Sequence, residues 1–293
     1  MNTDINFPNL HIYLEHVGKS VNIFGFDIAY YGIIIALGML LAVGLIMYLA
    51  KKAGINEDFC MDVCIYGILF GVIGARVYYV IFAWDIYRDN LLGIFNLREG
   101  GLAIYGGVLA GMATCILLCR KKKVSFLRMA DCVVPGVLVG QIVGRWGNFF
   151  NREVFGQYTD NLFAMELPIN AVRSMEDVTR EMLEHARVAD GVTYIQVHPT
   201  FLYESVWNLV LLIFLLCYFK RKRFDGELFC YYLFFYGVGR FIIEGVRTDQ
   251  LKLWNTDIPV SQALAGVLML VSLMLYVGLR RRNQGGCAGV SKE

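Results

Sequence analysis

The sequence predicts an all-α polytopic membrane protein of about seven transmembrane helices, with a small extracytoplasmic head between the fourth and fifth spans. Three observations carry this. The 293 residues are 57% hydrophobic and 18% charged, whereas a soluble domain is about 45–50% apolar and about 25% charged. Apolar runs of roughly twenty residues recur, too long for barrel strands. Basic clusters stand at every second junction between those runs, as a chain threading one bilayer requires.

Residues 1–25 are mixed and polar, and read as an extracytoplasmic N-terminal segment. No basic stretch precedes a short apolar core there, so a cleaved signal peptide is not expected. Residues 26–283 read as the transmembrane domain, with spans near 26–50, 59–83, 101–119, 126–148, 199–219, 228–246 and 259–279. Lys51-Lys52, Arg120-Lys121-Lys122-Lys123, Lys220-Arg221-Lys222-Arg223 and Arg280-Arg281-Arg282 follow the odd-numbered spans. Placing these clusters in the cytoplasm puts the N-terminus outside and the C-terminus inside.

Residues 84–100, with Trp84, Tyr87, Phe95 and Arg98-Glu99, are amphipathic and expected on the membrane surface. Residues 149–197 are the one sizeable soluble piece, with an acidic helical stretch over 174–189, a turn at Gly191 and a short strand over 193–197. So short a piece cannot build much of a core alone, and it is expected to rest on the bundle. Residues 284–293 read as a disordered cytoplasmic tail.

A net charge of +2 implies no nucleic-acid partner. The eight cysteines form no CxxC pair and read as small buried hydrophobes. The four histidines, His11, His16, His185 and His198, lack metal-ligand spacing.

The informative charges lie inside the spans. Gly144-Arg145-Trp146-Gly147-Asn148-Phe149-Phe150-Asn151-Arg152-Glu153 closes the fourth span. An arginine at the edge of hydrocarbon costs several kcal/mol unless an anion meets it. Glycines at 140, 144 and 147 let a backbone or a ligand approach closely. Arg76, Arg240, Glu244 and Arg247 fall in the outer halves of their spans, as do Glu204, Tyr31 and Tyr105, while the inner halves look almost free of charge. Interhelical pairing would account for part of this, as would helix support between Arg240 and Glu244. Arginines outnumber carboxylates in this count, however, and surplus positive charge facing the outer leaflet suits a lipid phosphate.

Four motifs resemble those of the prolipoprotein diacylglyceryl transferase family. They are the run 144–153, Glu99-Gly100-Gly101-Leu102-Ala103-Ile104-Tyr105-Gly106-Gly107, His198-Pro199-Thr200-Phe201-Leu202-Tyr203-Glu204, and Tyr236-Gly237-Val238-Gly239-Arg240 through Glu244 to Arg247. Their order and spacing fit over almost the whole chain. The resemblance implies an enzyme of the bacterial inner membrane that uses no metal or cofactor. It would move a diacylglyceryl group from phosphatidylglycerol to the lipobox cysteine thiol of a preprolipoprotein, leaving a thioether and a glycerol phosphate.

Arg145 and Arg240 would then hold the lipid phosphate, with Asn148 and Glu153 orienting the headgroup or those arginines. Glu204 and Glu244 would partner the arginines, and Tyr31 and His198 would line the outer mouth. Arg76, Arg247, Gly106 and Gly107 complete the candidate substrate-binding set. Tyr105 stands where many family members carry histidine. A phenol that titrates near pH 10 is a poor base at neutral pH, so Tyr105 is expected to donate a hydrogen bond to the lipid headgroup. The competing reading is a lipid-binding or transport protein with the same arginine-lined cavity. No inverted repeat is evident to support it, and no serine–histidine–carboxylate set points to a hydrolase.

Overall fold

Nine helices form among the described residues: α1 (Tyr30–Lys52), α2 (Glu57–Phe82), α3 (Trp84–Tyr87), α4 (Ile104–Lys122), α5 (Phe126–Asn151), α6 (Arg180–Glu184), α7 (Thr200–Tyr218), α8 (Glu227–Glu244) and α9 (Val260–Val290). This computed structural model describes residues 4–97, 100–253 and 256–290, with side chains as far as 284. Arg98 and Glu99, part of the expected surface segment, lie outside the described residues, as do residues 1–3 and 291–293.

Six helices, α1, α2, α4, α5, α7 and α9, are long and apolar enough to cross a membrane. Many of their large side chains, among them Leu40, Phe82, Ile104, Leu270 and Met274, stand exposed. That much uncovered apolar surface suits hydrocarbon rather than water. The sequence places a seventh span where α8 forms. This helix has 18 residues and carries Glu227, Arg240 and Glu244, which sets it apart from the six by composition. The last helix continues to Val290, through the start of the expected tail.

Local chemistry sets the helix ends. The Asn56 side chain accepts a hydrogen bond from the Phe59 amide at 2.9 Å, and Glu57 and Asp58 occupy the first turn of α2. Both features favour a helix N-terminus. Arg120, Lys121 and Lys122 fill the last turn of α4, which Lys123 closes at φ 55°.

The all-α expectation misses the strands. β1 (Ile5–Phe7), β2 (Ile12–Leu14), β3 (Ser20–Ile23), β4 (Phe26–Ala29), β5 (Met165–Pro168), β6 (Arg187–Ala189) and β7 (Val192–Val197) build a five-stranded antiparallel sheet, in the order β2-β1-β5-β7-β6, and a separate β3–β4 hairpin. Only β7 was legible beforehand. The acidic stretch over 174–189 divides into a 3-10 turn at Met175–Asp177, then α6, then β6. Asp190 and Gly191, at φ 49° and 73°, close the β6–β7 hairpin as the expected turn.

Two compact units make up the chain, one of Met1–Ala42 with Val134–Glu293 and the other of Val43–Val133. In the first, Ile5, Phe7, Met165, Leu167, Met182, Ile195 and Val197 of the sheet region pack with Phe149 of α5 and Phe201 of α7. The sheet therefore borrows its core from two helix ends. In the second, α2 and α4 cross on glycines. A Cβ added at Gly106 would stand 2.3 Å from the Gly74 carbonyl oxygen, and one at Gly74 would stand 2.3 Å from Ala110 Cβ. Only glycine permits that approach.

Two buried acids add to the charges weighed from the sequence. Asp131 of α5 and Glu227 of α8 are fully buried, at the ends opposite those bearing Arg145 and Arg240. Glu227 accepts from the Tyr218 and Tyr231 hydroxyls, each at 3.2 Å, and from the Arg223 amide at 2.5 Å.

Candidate active site

Three helix ends supply the charged cluster. Arg145 and Arg240 lie near the C-termini of α5 and α8, and Glu204 lies near the N-terminus of α7. Arg145 Nη2 is 2.6 Å from Glu204 Oε2, and Arg240 Nη1 is 3.1 Å from Glu204 Oε1. One buried carboxylate thus bridges two arginines. Arg240 Nη2 also lies 2.7 Å from Glu244 Oε2 and donates to Ser261 Oγ at 3.4 Å.

Arg247 comes within 3.8 Å of Glu204 and 3.6 Å of Glu244. Its main partner is one the sequence reading missed. Asp249 accepts from Arg247 Nε at 2.9 Å and from Nη2 at 2.6 Å. That two-pronged pair engages the fork a phosphate would need. Arg145 is the most accessible of the three arginine side chains, 22% exposed against 16% for Arg240 and 9% for Arg247.

A second chain of contacts leads away from Arg145. Its Nη1 donates to Asn148 Oδ1 at 3.3 Å. The Asn148 amide donates to Glu153 Oε1 at 2.9 Å, and Asn151 donates to the same oxygen at 3.2 Å. The other oxygen of Glu153 takes Arg173, a residue the sequence reading passed over. Glu153 is thus gripped on both oxygens, and through Asn148 it sets the rotation of Arg145.

Tyr31 reaches the same neighbourhood. Its ring lies against Gly147, where an added Cβ would come within 2.6 Å of it. His198 is turned into a small network instead. Its Nδ1 meets the Tyr203 hydroxyl at 3.2 Å and the Asn161 amide at 3.4 Å. Burial holds its imidazole below the usual pKa, favouring the neutral ring that accepts at Nδ1.

Gly156, another residue the sequence reading did not single out, joins these parts. Its amide donates to the His198 carbonyl at 2.9 Å, and it forms a β-bridge with Arg247. A Cβ there would stand 2.7 Å from the Val246 carbonyl oxygen and 2.8 Å from His198 Cβ. The signal was its place three residues after Glu153.

Three expected ligands of the substrate are occupied otherwise. Arg76 spends all five guanidinium donors on main-chain carbonyls: Nε on Ile94 at 2.7 Å, Nη1 on Gly100 and Gly101 at 2.8 and 2.9 Å, and Nη2 on Gly93 and Asn96 at 2.8 and 3.1 Å. An arginine saturated in this way has no fork left for a phosphate. It pins the loop that leads to α4. The Cβ side of Gly106 faces α2, and that of Gly107 lies 3.3 Å from the Gly71 carbonyl oxygen, so both glycines serve helix packing. Tyr105 sits half-buried in the first turn of α4, within the same unit as Arg76.

The profile of the prolipoprotein diacylglyceryl transferase family matches residues 19–278. The chain belongs to that family. Among similar proteins are phosphatidylglycerol–prolipoprotein diacylglyceryl transferases of three bacteria. That of Finegoldia magna is 38% identical over 262 residues, covering 89% of this chain and 95% of its own. That of Clostridium kluyveri is 39% identical over 253 residues, covering 86% and 93%. The Listeria welshimeri protein is 39% identical over 253 residues, covering 86% and 85%. The Arg145–Glu204–Arg240 bridge places two guanidinium groups at one spot. No cluster of three or more histidine, cysteine or acidic side chains suited to a metal occurs among the described residues.

Proposed function

We propose that this chain transfers the diacylglyceryl group of phosphatidylglycerol to the lipobox cysteine thiol of preprolipoproteins. The observation that carries the reading is Glu204 held between Arg145 and Arg240, in a chain of this family. The cysteine thiolate, its proton given up to solvent, attacks the glyceryl carbon bonded to the phosphate oxygen. A C–S bond forms, the C–O bond breaks, and glycerol phosphate leaves with the electron pair. Arg145 and Arg240 stabilise the departing phosphate by fixed charge. The same field lowers the pKa of an approaching thiol, which otherwise titrates near 8.5, so that no strong base is required. Binding the phosphate first also positions the carbon under attack.

In this reading α8 is the seventh span, and residues 26–283 form the transmembrane catalytic domain of a bacterial inner-membrane enzyme. The N-terminus and the head at 149–197 lie outside, and the C-terminus lies in the cytoplasm. The basic junctions support this orientation. A reporter active only outside the cytoplasm should work when fused after Asp160 and fail after Lys122. The opposite pattern would overturn the orientation.

Lipid binding or transport without chemistry is not favoured, because close relatives over most of the chain are named as transferases. The direct test incubates the purified protein with phosphatidylglycerol and a lipobox peptide. A thioether-linked diacylglyceryl peptide together with glycerol phosphate is expected. Lipid bound without peptide modification would sink the proposal.

A further inference from the structure

The β3–β4 hairpin lies outside the catalytic cluster and has a sidedness that catalysis does not explain. Its register pairs Ser20 with Ala29, Val21 with Ile28, Asn22 with Asp27 and Ile23 with Phe26. Side chains alternate across a hairpin. One face therefore carries Val21, Ile23, Phe26 and Ile28, and the other carries Ser20, Asn22, Asp27 and Ala29. The polar face is internally satisfied, since the Asn22 amide donates to Asp27 at 2.9 Å while its oxygen accepts from the Gly25 amide at 3.1 Å.

The apolar face has no such cover. Ile23, Phe26 and Ile28 are exposed, Phe26 at 76%, and Phe24 at the tip is 98% exposed. Phe24 and Gly25 turn the chain at φ 52° and 86°. A two-residue turn of this kind favours asparagine or glycine, and a bulky residue at positive φ is disfavoured. Sterics and water both disfavour the phenylalanine at this tip.

What covers that face follows from where the hairpin is attached. Strand β4 ends at Ala29 and α1 begins at Tyr30, with no linker between them. The Tyr30 amide donates to the Lys19 carbonyl at 3.0 Å, carrying the ladder into the first residue of the helix. A hairpin clamped to the mouth of a membrane-spanning helix stays at the level of the headgroups. Four-residue strands reach only about 13 Å, too short to cross a bilayer. An apolar face with no charge, tipped by aromatic residues, matches the interface, where rings and aliphatic side chains enter the acyl boundary.

We propose that this hairpin is an interfacial foot, laying Val21, Ile23, Phe26, Ile28 and the Phe24 tip into the lipid beside α1. The inference rests on α1 crossing the bilayer and not on the transfer reaction. The foot would hold the end of α1 that carries Tyr31 at a fixed depth.

The test uses the full-length chain in phosphatidylglycerol–phosphatidylcholine vesicles, with photoreactive benzoylphenylalanine placed singly at positions 22, 24, 26 or 27. After irradiation, phospholipid adducts at 24 and 26 should exceed those at 22 and 27 by about fivefold or more, the contrast expected of one buried and one solvated face. Equal yields at all four positions would overturn the proposal. So would adducts at 24 that pass from lipid to an added lipobox peptide, since the face would then receive substrate. A second reading does not need the bulky probe. With labelling of the native cysteines subtracted, a membrane-impermeant maleimide added outside vesicles should label Asn22→Cys about fivefold faster than Phe24→Cys. Comparable rates for the two variants would contradict the foot.

Discussion

The guanidinium of Arg145 on α5 meets the carboxylate of Glu204 on α7 at 2.6 Å, and that carboxylate is shared with Arg240 at 3.1 Å. Removing either arginine leaves Glu204 with the other, so neither change strands a buried charge. Arg145→Ala and Arg240→Ala are therefore expected to accumulate in membranes at near-normal levels while losing about 100-fold or more in thioether formation. Lysine should restore little, because a point charge lacks the planar fork. Glu204→Gln differs in kind. It leaves Arg145 without its carboxylate while Arg240 keeps Glu244, and a loss of about 1–3 kcal/mol in stability is expected. Membrane levels by immunoblot and turnover on lipobox peptide separate the two classes.

Arg173 grips Glu153 from a position mostly exposed to solvent. An exposed ion pair contributes little to stability, yet this one fixes the carboxylate that holds Asn148 against Arg145. Arg173→Ala should leave the melting temperature within about 1 °C of wild type, given that small contribution. The turnover rate should fall several-fold with little change in KM for lipid. An equal loss in a variant of exposed Arg180 would show the effect to be one of general charge.

Tyr105 lies in the first turn of α4. If it donates a hydrogen bond to the lipid headgroup, Tyr105→His stays active, since both side chains can donate. Tyr105→Phe should lose about 1–3 kcal/mol in kcat/KM, the cost of an unsatisfied buried partner. Wild-type turnover in the phenylalanine variant would make Tyr105 an interfacial anchor instead.

Gly106 faces the Gly74 carbonyl with no room for a methyl group. Gly106→Ala should therefore reduce folded protein rather than alter lipid binding, with α2 and α4 forced apart. Accumulation in membranes and the melting temperature in detergent read this directly. A well-folded variant with raised KM would return Gly106 to the substrate site.

Burial lowers the pKa of His198 below its usual value. Between that depressed value and about 6.5, the unfolded chain binds a proton that the folded chain does not, so stability rises with pH across the window. The contribution is whole above about 6.5 and fades as the pH falls. His198→Gln should flatten part of the decline in melting temperature between pH 7.5 and 5. A variant whose decline matches that of wild type would show that His198 takes no part in it.

The bundle and its charged cluster were legible for the same reason. An ionisable group in an apolar run departs sharply from its surroundings, and Arg145, Glu204 and Arg240 all do so. Asp249 and Arg173 sit in polar connections, where a charge carries no such contrast. For Arg76 and Gly106 the sequence is ambiguous because one residue type serves two ends: an arginine can hold a loop as well as a phosphate, and a glycine can admit a helix as well as a lipid. The sheet escaped notice because most of its strands have only three or four residues. Asn6 finds its partner at Glu166, far along the chain. No local pattern encodes such a pairing.

Counting Asp249 and Arg173 also changes the electrostatics. Arg145, Arg173, Arg240 and Arg247 are met by Glu153, Glu204, Glu244 and Asp249, so this set of eight is neutral where the sequence suggested surplus positive charge. A phosphate must then compete with resident carboxylates for the arginines it uses. Capture is weakened by that competition, and departure is hastened by it. If Arg145 and Arg240 hold the phosphate as proposed, Glu204 is on hand to reclaim both guanidinium groups once glycerol phosphate has formed. On the proposed mechanism, the carboxylate that partners both arginines would thereby double as the displacing ligand, resetting the enzyme for its next turnover.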